Sequence, residues 1–258
     1  MKIKSLFLCK IPICIFFFFS VVLSQYKCDT AFQGKDTFVE CKAFVEKGIV
    51  QSIHRYLNGQ YHGAQEDFYS SGKLYSRISY RNGCPVDSSV FFFQDGKIKI
   101  KKYYDKCMGN GMVVMFDEKG DTLHKGHCIN DKPVGLDETW FAPGKRETVT
   151  HYNDLGKKHG LYETWREDGT RKDSIMYENG KMVEIRAYFV NGKERTWEEY
   201  RKTDTSSFLV NAVYRDFTGK ISGKVVKGEG EYIVYAENGR PVVREWVSKG
   251  IRIKEEKP

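Results

Sequence analysis

The sequence predicts an all-β fold: an elongated repeat array of about nine antiparallel β-hairpins joined into one twisted meander sheet. Three observations carry that expectation. Gly48, Gly72, Gly96, Gly120, Gly144, Gly169, Gly192, Gly219 and Gly239 follow one another at gaps of 24, 24, 24, 24, 25, 23, 27 and 20 residues. Four residues before all of them except Gly219 stands an aromatic, giving the column Phe44, Phe68, Phe92, Phe116, Trp140, Trp165, Tyr188 and Tyr235. Eight residues after come Tyr56, Tyr80, Tyr104, Tyr152, Tyr177 and Tyr200, with Cys128 once in that place. A period of this size marks a repeat array, whose units are each too small to cover their own apolar face and draw stability from their neighbours.

The clearest unit runs from Gly160 to Tyr177. Leu161, Glu163 and Trp165 alternate with Tyr162 and Thr164, which is strand periodicity. Glu167-Asp168-Gly169 is a turn signal, because glycine supplies the positive φ that tight turns demand. Ile175 and Tyr177 then share one face of the returning strand. Leading glycines recur nine residues before the turn glycine at Gly63, Gly111, Gly135, Gly160 and Gly230. Asn82-Gly83, Asn179-Gly180 and Asn191-Gly192 add further turn dipeptides. The residues after the leading glycines (Ala64, Met112, Leu136, Leu161), the aromatic column and the tyrosines are expected to line one covered face. Gln65, Asp67, Asp137 and Thr139 are expected to face water. Each covered ring contributes about 1.5–3 kcal/mol.

Around the array lie distinct ends. Residues 1–24 read as a signal peptide: Lys2, Lys4 and Lys10 give a basic start, Ile11–Leu23 is too short to span a bilayer, and cleavage is expected between Ser24 and Gln25. Residues 25–38 form an N-terminal lead-in or cap, 39–250 the array with an irregular unit at 201–229, and 251–258 a flexible tail. Removing the leader takes the formal charge from +8 to +5. The remaining cations are interspersed with acids throughout, a solvated surface rather than a stripe for nucleic acid.

Export permits disulfides. The mature chain keeps Cys28, Cys41, Cys84, Cys107 and Cys128, an odd number that leaves at least one thiol over. Cys28 with Cys41 is the most local candidate pair. Cys84 and Cys107 occupy near-equivalent phases of adjacent repeats. Read as two strands apart, about 9–10 Å, they are beyond the roughly 7 Å reach of a disulfide.

Candidate chemistry is sparse. His124, His127 and Cys128 are ligand-type residues within one strand, but alternation turns His127 away from the other two, and a closed zinc site needs a fourth ligand. Glu66, Glu138 and Glu163 share a repeat phase and lie a repeat or more apart, unlike the paired carboxylates of a glycosidase. His62 and His159 share a phase as well. Neither a nucleophile elbow nor a phosphate-cradling loop is present. The expectation is no enzyme, with no catalytic, cofactor-binding or metal-binding residues.

The stretch Gly160-Leu-Tyr-Glu-Thr-Trp-Arg-Glu-Asp-Gly169, followed by Tyr177-Glu178-Asn179-Gly180-Lys181, resembles MORN repeats and, more closely, the bacterial MORN-variant branch. Tyr61-His62-Gly63, Lys158-His159-Gly160 and Asn191-Gly192-Lys193 repeat its elements. The resemblance covers residues 39–200 well and 201–250 loosely. It implies a scaffold of antiparallel strands with protein or membrane-lipid contacts, and many bacterial relatives are labelled antitoxins. Joined to the leader, it gives an exported, non-enzymatic scaffold binding a protein partner at the cell envelope or outside the cell. The alternatives are a module taking glycan or lipid head groups on exposed aromatics, and a toxin-neutralising protein. Exposure of Phe92, Trp140 and Trp165 separates ligand platform from packing. Oligomeric state is open.

Overall fold

A computed structural model describes residues 25–45, 48–203 and 206–257; the expected signal peptide at 1–24 lies outside the described residues. These residues form 21 β-strands and no α-helix, and every strand pair is antiparallel. The chain divides into two compact units, Met1–Val134 and Gly135–Pro258.

The first unit carries β1 (Gln25–Gln33), β2 (Asp36–Phe44), β3 (Val50–Leu57), β4 (Gln60–Tyr61), β5 (Gly63–Phe68), β6 (Leu74–Arg81), β7 (Cys84–Phe92), β8 (Ile98–Asp105), β9 (Met108–Phe116) and β10 (Thr122–Ile129). They pair in chain order, except that β3 pairs with both the short β4 and β5. The second unit holds most of β11 (Lys132–Ala142), then β12 (Lys145–Tyr152), β13 (Lys158–Trp165), β14 (Arg171–Glu178), β15 (Lys181–Tyr188) and β16 (Glu194–Lys202). It continues through β17 (Ser207–Arg215), β18 (Ile221–Val226), β19 (Glu229–Tyr235), β20 (Pro241–Ser248) and β21 (Ile251–Glu256), again a meander. Residues 251–256, expected as a frayed tail, are therefore strand: Arg252 pairs with Val247 and Lys254 with Trp246. Backbone pairing holds these residues although all six side chains are exposed.

All nine turn glycines have positive φ, from +73° at Gly48 to +97° at Gly219. The loop geometry explains why. In the loop after β5, the Tyr69 amide donates to the Lys73 carbonyl and the Gly72 amide to the Tyr69 carbonyl. The same pair of bonds recurs around Gly96, Gly120, Gly169, Gly192, Gly219 and Gly239. Asp or Asn side chains reinforce several of these loops; Asp117 Oδ1 accepts from the amides of Lys119 and Asp121, and Asp216 Oδ1 from those of Thr218 and Lys220. At the opposite ends of the strands, Asn58-Gly59, Asn82-Gly83 and Asn179-Gly180 each carry two positive φ angles, the turn whose twist matches flanking strands.

The distribution of faces differs from the expectation. Within the β5–β6 hairpin, Gly63 pairs with Tyr80, Gln65 with Ile78 and Asp67 with Ser76. The tyrosine therefore shares a face with the leading glycine itself and with Gln65, not with Ala64 and Phe68. This tyrosine face is the covered one. Gln65 is 6 % and Asp137 4 % exposed, whereas Met112 and Leu136, on the other face, are 41 % and 46 % exposed. The error is one of parity, since a one-residue displacement moves every side chain to the other face. Buried Gln65 is satisfied by acting as a backbone substitute: its Oε1 accepts from the Arg55 amide and its Nε2 donates to the Arg55 carbonyl, 2.9 Å each.

A second feature is absent from the sequence reading. In each turn-glycine hairpin the register slips close to the aromatic column, between Ala43 and Phe44, Asp67 and Phe68, Phe91 and Phe92, Thr139 and Trp140, Thr164 and Trp165, Ala187 and Tyr188, and Val234 and Tyr235. The β9–β10 pair slips between Thr122 and His124, and β17–β18 between Tyr214 and Arg215. Each slip is a bulge, which bends a strand and increases its twist. The aromatic rings accordingly sit half-buried beside the bulges, all eight of them.

Both expected and unexpected disulfides are present. Cys28 and Cys41 face each other in the β1–β2 register, with Cα atoms 4.1 Å apart. Cys84 and Cys107 are also bonded, at 4.6 Å, which overturns the expectation that they are out of reach. Extending the β7–β8 register outward from Asp87 and Tyr104 sets Cys84 opposite Cys107 on adjacent strands. They belong to two ends of one hairpin rather than to equivalent points of two.

Candidate functional site

On the face away from the tyrosines, charges are laid out as a ladder across the strands. In the first unit Arg55 bonds Glu40 at 2.8 Å and Glu66 at 3.1 Å, and Arg77 bonds Glu66 at 2.7 Å. Burial alone raises the Glu66 carboxyl, but the hydrogen bonds from Arg77 and Arg55 outweigh it and hold the group below the ordinary range. Its contribution is therefore fully present above the usual carboxylate pKa of about 4.3 and is lost as pH falls through the depressed value. Glu66→Gln should cost the first unit about 1–3 kcal/mol near neutral pH, with a smaller difference in acid. Urea titrations at two pH values check this. The second unit repeats the pattern with Arg146–Glu138 at 3.2 Å, Arg171–Glu163 at 2.9 Å, and Arg186 between Glu184 and Glu194 at 2.9 Å each.

The ladder lapses over β7–β10. The position held by Glu66, Glu138 and Glu163 is Val90 and Val114 in the two intervening repeats. Register runs Arg77, Val90, Lys101, Val114, Lys125 across five strands. Lys101 and Lys125 thus flank Val114 about 9–10 Å apart, and Lys99 lies two residues along β8 on the same face. Among the described residues no ion pair holds Lys99, Lys101 or Lys125. Lys101 Nζ instead lies 4.9 Å over the Tyr103 ring, and Lys99 Nζ 5.4 Å over Phe93. Exposed Tyr103 and Met112, with His127 paired to Met112, complete the patch. It is cationic and apolar, and Asp105, at the end of β8 two residues beyond Tyr103, is the carboxylate that alternation places on its face of β7–β10. Sequence reading missed it because it weighed acids and bases by their average dispersal, while the signal was the replacement of a glutamate by valine at one repeat phase.

The tyrosine face of the second unit holds a different cluster. Glu198 accepts from the hydroxyls of Tyr200 and Tyr214, while Glu245 accepts from Tyr232 and pairs with Arg252 at 2.9 Å. The Tyr214 and Tyr232 rings stack 3.6 Å apart. Burial first, then hydrogen bonding to Glu245, pushes the Tyr232 phenol up to about 12, and burial beside Glu198 drives Tyr214 and Tyr200 higher. Every member is satisfied, so the network orders the core rather than presenting reactive groups.

Other candidates stay apart. His124 and Cys128 are buried on the tyrosine face of β10, and His127 is exposed on the other. Among the described residues no group of three His, Cys, Asp or Glu side chains converges as a metal would require. Glu66, Glu138 and Glu163 each serve an arginine. Phe92, Trp140 and Trp165 are neither core nor open platform, each being half-buried. An open cavity of about 390 Å³ lies against Thr30, Val39, Tyr56 and Gly63 at the start of the array.

Comparison with known proteins gives one short family match. No curated protein matches the chain. A porin-like protein from Bacteroides uniformis ATCC 8492 aligns at 10 % identity over 90 % of this chain and 93 % of its own, with a TM-score of 0.17. The Photorhabdus luminescens Tc holotoxin pore, carrying the mutation TccC3-D651A, aligns at 10 % identity over 89 % of this chain and 17 % of its own, with a TM-score of 0.16. Likenesses this weak carry no argument about fold or function. Residues 61–82, from the end of β4 through β6, match the family described as MORN repeat variant. That segment is thus similar to a MORN repeat variant, and its turn, bulge and tyrosine pairing recur in hairpin after hairpin.

Proposed function

We propose that the protein is a non-enzymatic scaffold that works after export and docks a partner protein on the lysine-bearing face of β7–β10. MORN-variant repeats are a non-enzymatic repeat type, and the basic, apolar N-terminal segment supports export. The observation that carries the docking face is the lapse of the charge ladder. Elsewhere on this face arginines are neutralised by glutamates of the neighbouring strand, whereas Lys99, Lys101 and Lys125 await an acid from outside. An acidic segment laid across these strands would supply it, with Tyr103 and Met112 giving apolar contact.

The test is Lys101→Glu with Lys125→Glu. Both side chains leave the core untouched, so thermal stability should hold within a few degrees. Cross-linked partners recovered from the envelope fraction or medium should be lost, and affinity should fall at least tenfold because like charges now meet across the interface. Unchanged recovery by the double variant rejects this face. Exposed Tyr103 and Met112 beside lysines also favour a second reading, anionic head groups of a membrane. Sedimentation with vesicles containing phosphatidylglycerol separates the two readings.

A further inference from the structure

We propose that two copies of this chain join through β1, antiparallel to one another about a two-fold axis passing Asp29. β1 pairs with β2 along one edge, and within the described residues of the first unit no strand pairs with its other edge. The register Thr30–Val39–Tyr56 places Tyr26, Cys28, Thr30 and Phe32 on the tyrosine face, which is the covered face in the rest of the array. At β1 that cover ends. Tyr26 is 73 % and Phe32 76 % exposed, and an open cavity is lined by Thr30, which lies between them along β1, and by Val39 of β2. Unpaired amides and uncovered rings on one strand constitute an edge that proteins ordinarily block with proline, charge or a covering loop. Here the Cys28–Cys41 disulfide does the reverse, tying the strand to β2 and presenting its free edge.

The occupant follows from the strand's own sequence. In Gln25-Tyr-Lys-Cys-Asp-Thr-Ala-Phe-Gln33 the outer two positions match from both ends, glutamine against glutamine and tyrosine against phenylalanine, while Lys27 answers to Ala31 and Cys28 to Thr30 about a central aspartate. A second copy laid antiparallel about Asp29 sets Tyr26 against the partner's Phe32 and Phe32 against the partner's Tyr26. Both aromatic pairs fall on the tyrosine face, and cross-strand aromatic pairs are among the more stabilising kind. The two Asp29 carboxylates meet on the opposite face, a like-charge contact that opposes pairing. It is offset by the partner's Lys27, a diagonal neighbour of each and within reach of a long side chain. Displacing the axis to Cys28 or Thr30 leaves a ring with no partner, and moving one copy by a single residue turns its rings to the wrong face. A two-fold contact of this kind uses one patch twice and closes on itself. β21, the last strand of the second unit, lacks such self-complementarity; Lys254, Glu255 and Glu256 end it in charge.

The experiment uses the chain recovered from cells that express the full sequence, with its first residue identified by mass spectrometry. Sedimentation velocity between about 1 and 100 μM should show dimer, and Phe32→Lys or Tyr26→Lys should raise the dissociation constant at least tenfold with the circular dichroism spectrum retained. Register is read by cysteine placement. Facing residues of an antiparallel pair have Cα atoms about 4.5–5.5 Å apart, within disulfide range. Asp29→Cys should therefore cross-link to itself, located by peptide mapping. Lys27→Cys alone should not, being four residues off register and about 14 Å from its own copy. Lys27→Cys mixed with Ala31→Cys should give the heterodimer. Monomer throughout the concentration range, dimers insensitive to Phe32→Lys, or cross-linking by Lys27→Cys alone would each overturn the proposal. None of these readings depends on the lysine face of β7–β10.

Discussion

Gly223→Ala should cost the second unit on the order of 3–5 kcal/mol, although the residue is neither a turn glycine nor part of the repeat signature. Gly223 lies on β18 opposite Tyr214 of β17 and, by extension of the β18–β19 register, opposite Tyr232. The missing side chain lets the two rings meet across the strand between them, which is how residues two strands apart come to stack at 3.6 Å. A Cβ there would lie 2.3 Å from the Tyr232 Cα and 2.5 Å from the Glu231 carbonyl oxygen, both backbone atoms. Backbone cannot swing aside as a flexible side chain can, so β18 and β19 must part. That damages the stack as well as the ladder, which places the cost above ordinary overpacking. Gly169→Val provides the contrast. Gly169 has φ of +86° but open space around a Cβ, so only backbone strain is incurred, about 1–2 kcal/mol. Urea denaturation of both variants decides the matter; equal losses would mean that the tyrosine stack does not depend on the glycine between its strands.

That contrast also marks what the sequence could and could not disclose. The turn glycines were legible because a local conformational demand repeats: each loop needs a positive φ, and only one residue type meets that demand cheaply. The Asn-Gly turns were legible for the same reason. The strands between them followed from alternation. Faces were not legible, because assigning them needs the register across the turn, and the bulge beside each aromatic adds a residue that periodicity alone does not reveal. Without that register, Gln65 and Asp137 read as solvent-facing and Met112 as core. Cys84 and Cys107 were misjudged for the same cause. Their separation of 23 residues resembles one repeat, yet the strands fold so that they close a single hairpin. The lysine face of β7–β10 depends on register twice over: only when Val90 and Val114 are seen to lie beside Lys101 and Lys125 does the absence of a glutamate become a local fact. Gly223 carries no mark in the chain, since its meaning comes entirely from Tyr214 and Tyr232 on either side.

The paired phenols and carboxylates of the second unit predict a loss of stability in alkali. In the unfolded chain a tyrosine ionises near pH 10. In the folded unit Tyr232 resists until about 12, since burial and its bond to Glu245 both favour the neutral phenol, and Tyr214 resists further. A raised folded pKa means that the stabilisation is whole below pH 10 and is lost as pH rises through the folded value, because the unfolded state releases its proton first. Each such phenol contributes a slope of up to about 1.4 kcal/mol per pH unit in that window. Urea midpoints should therefore be level from pH 7 to 9 and fall steeply from 10 to 11, with Tyr232→Phe flattening the fall. At neutral pH the larger effect comes from Tyr200→Phe with Tyr214→Phe. Glu198 is 9 % exposed and both phenols donate to it, so the double variant leaves a nearly buried carboxylate stripped of those donors. The expected cost is on the order of 3–5 kcal/mol, more than the two single changes together, because either phenol alone still serves the carboxylate. An additive double variant, or a midpoint that holds level to pH 11, would mean that the three tyrosines fill space without sharing the burden of the buried charge.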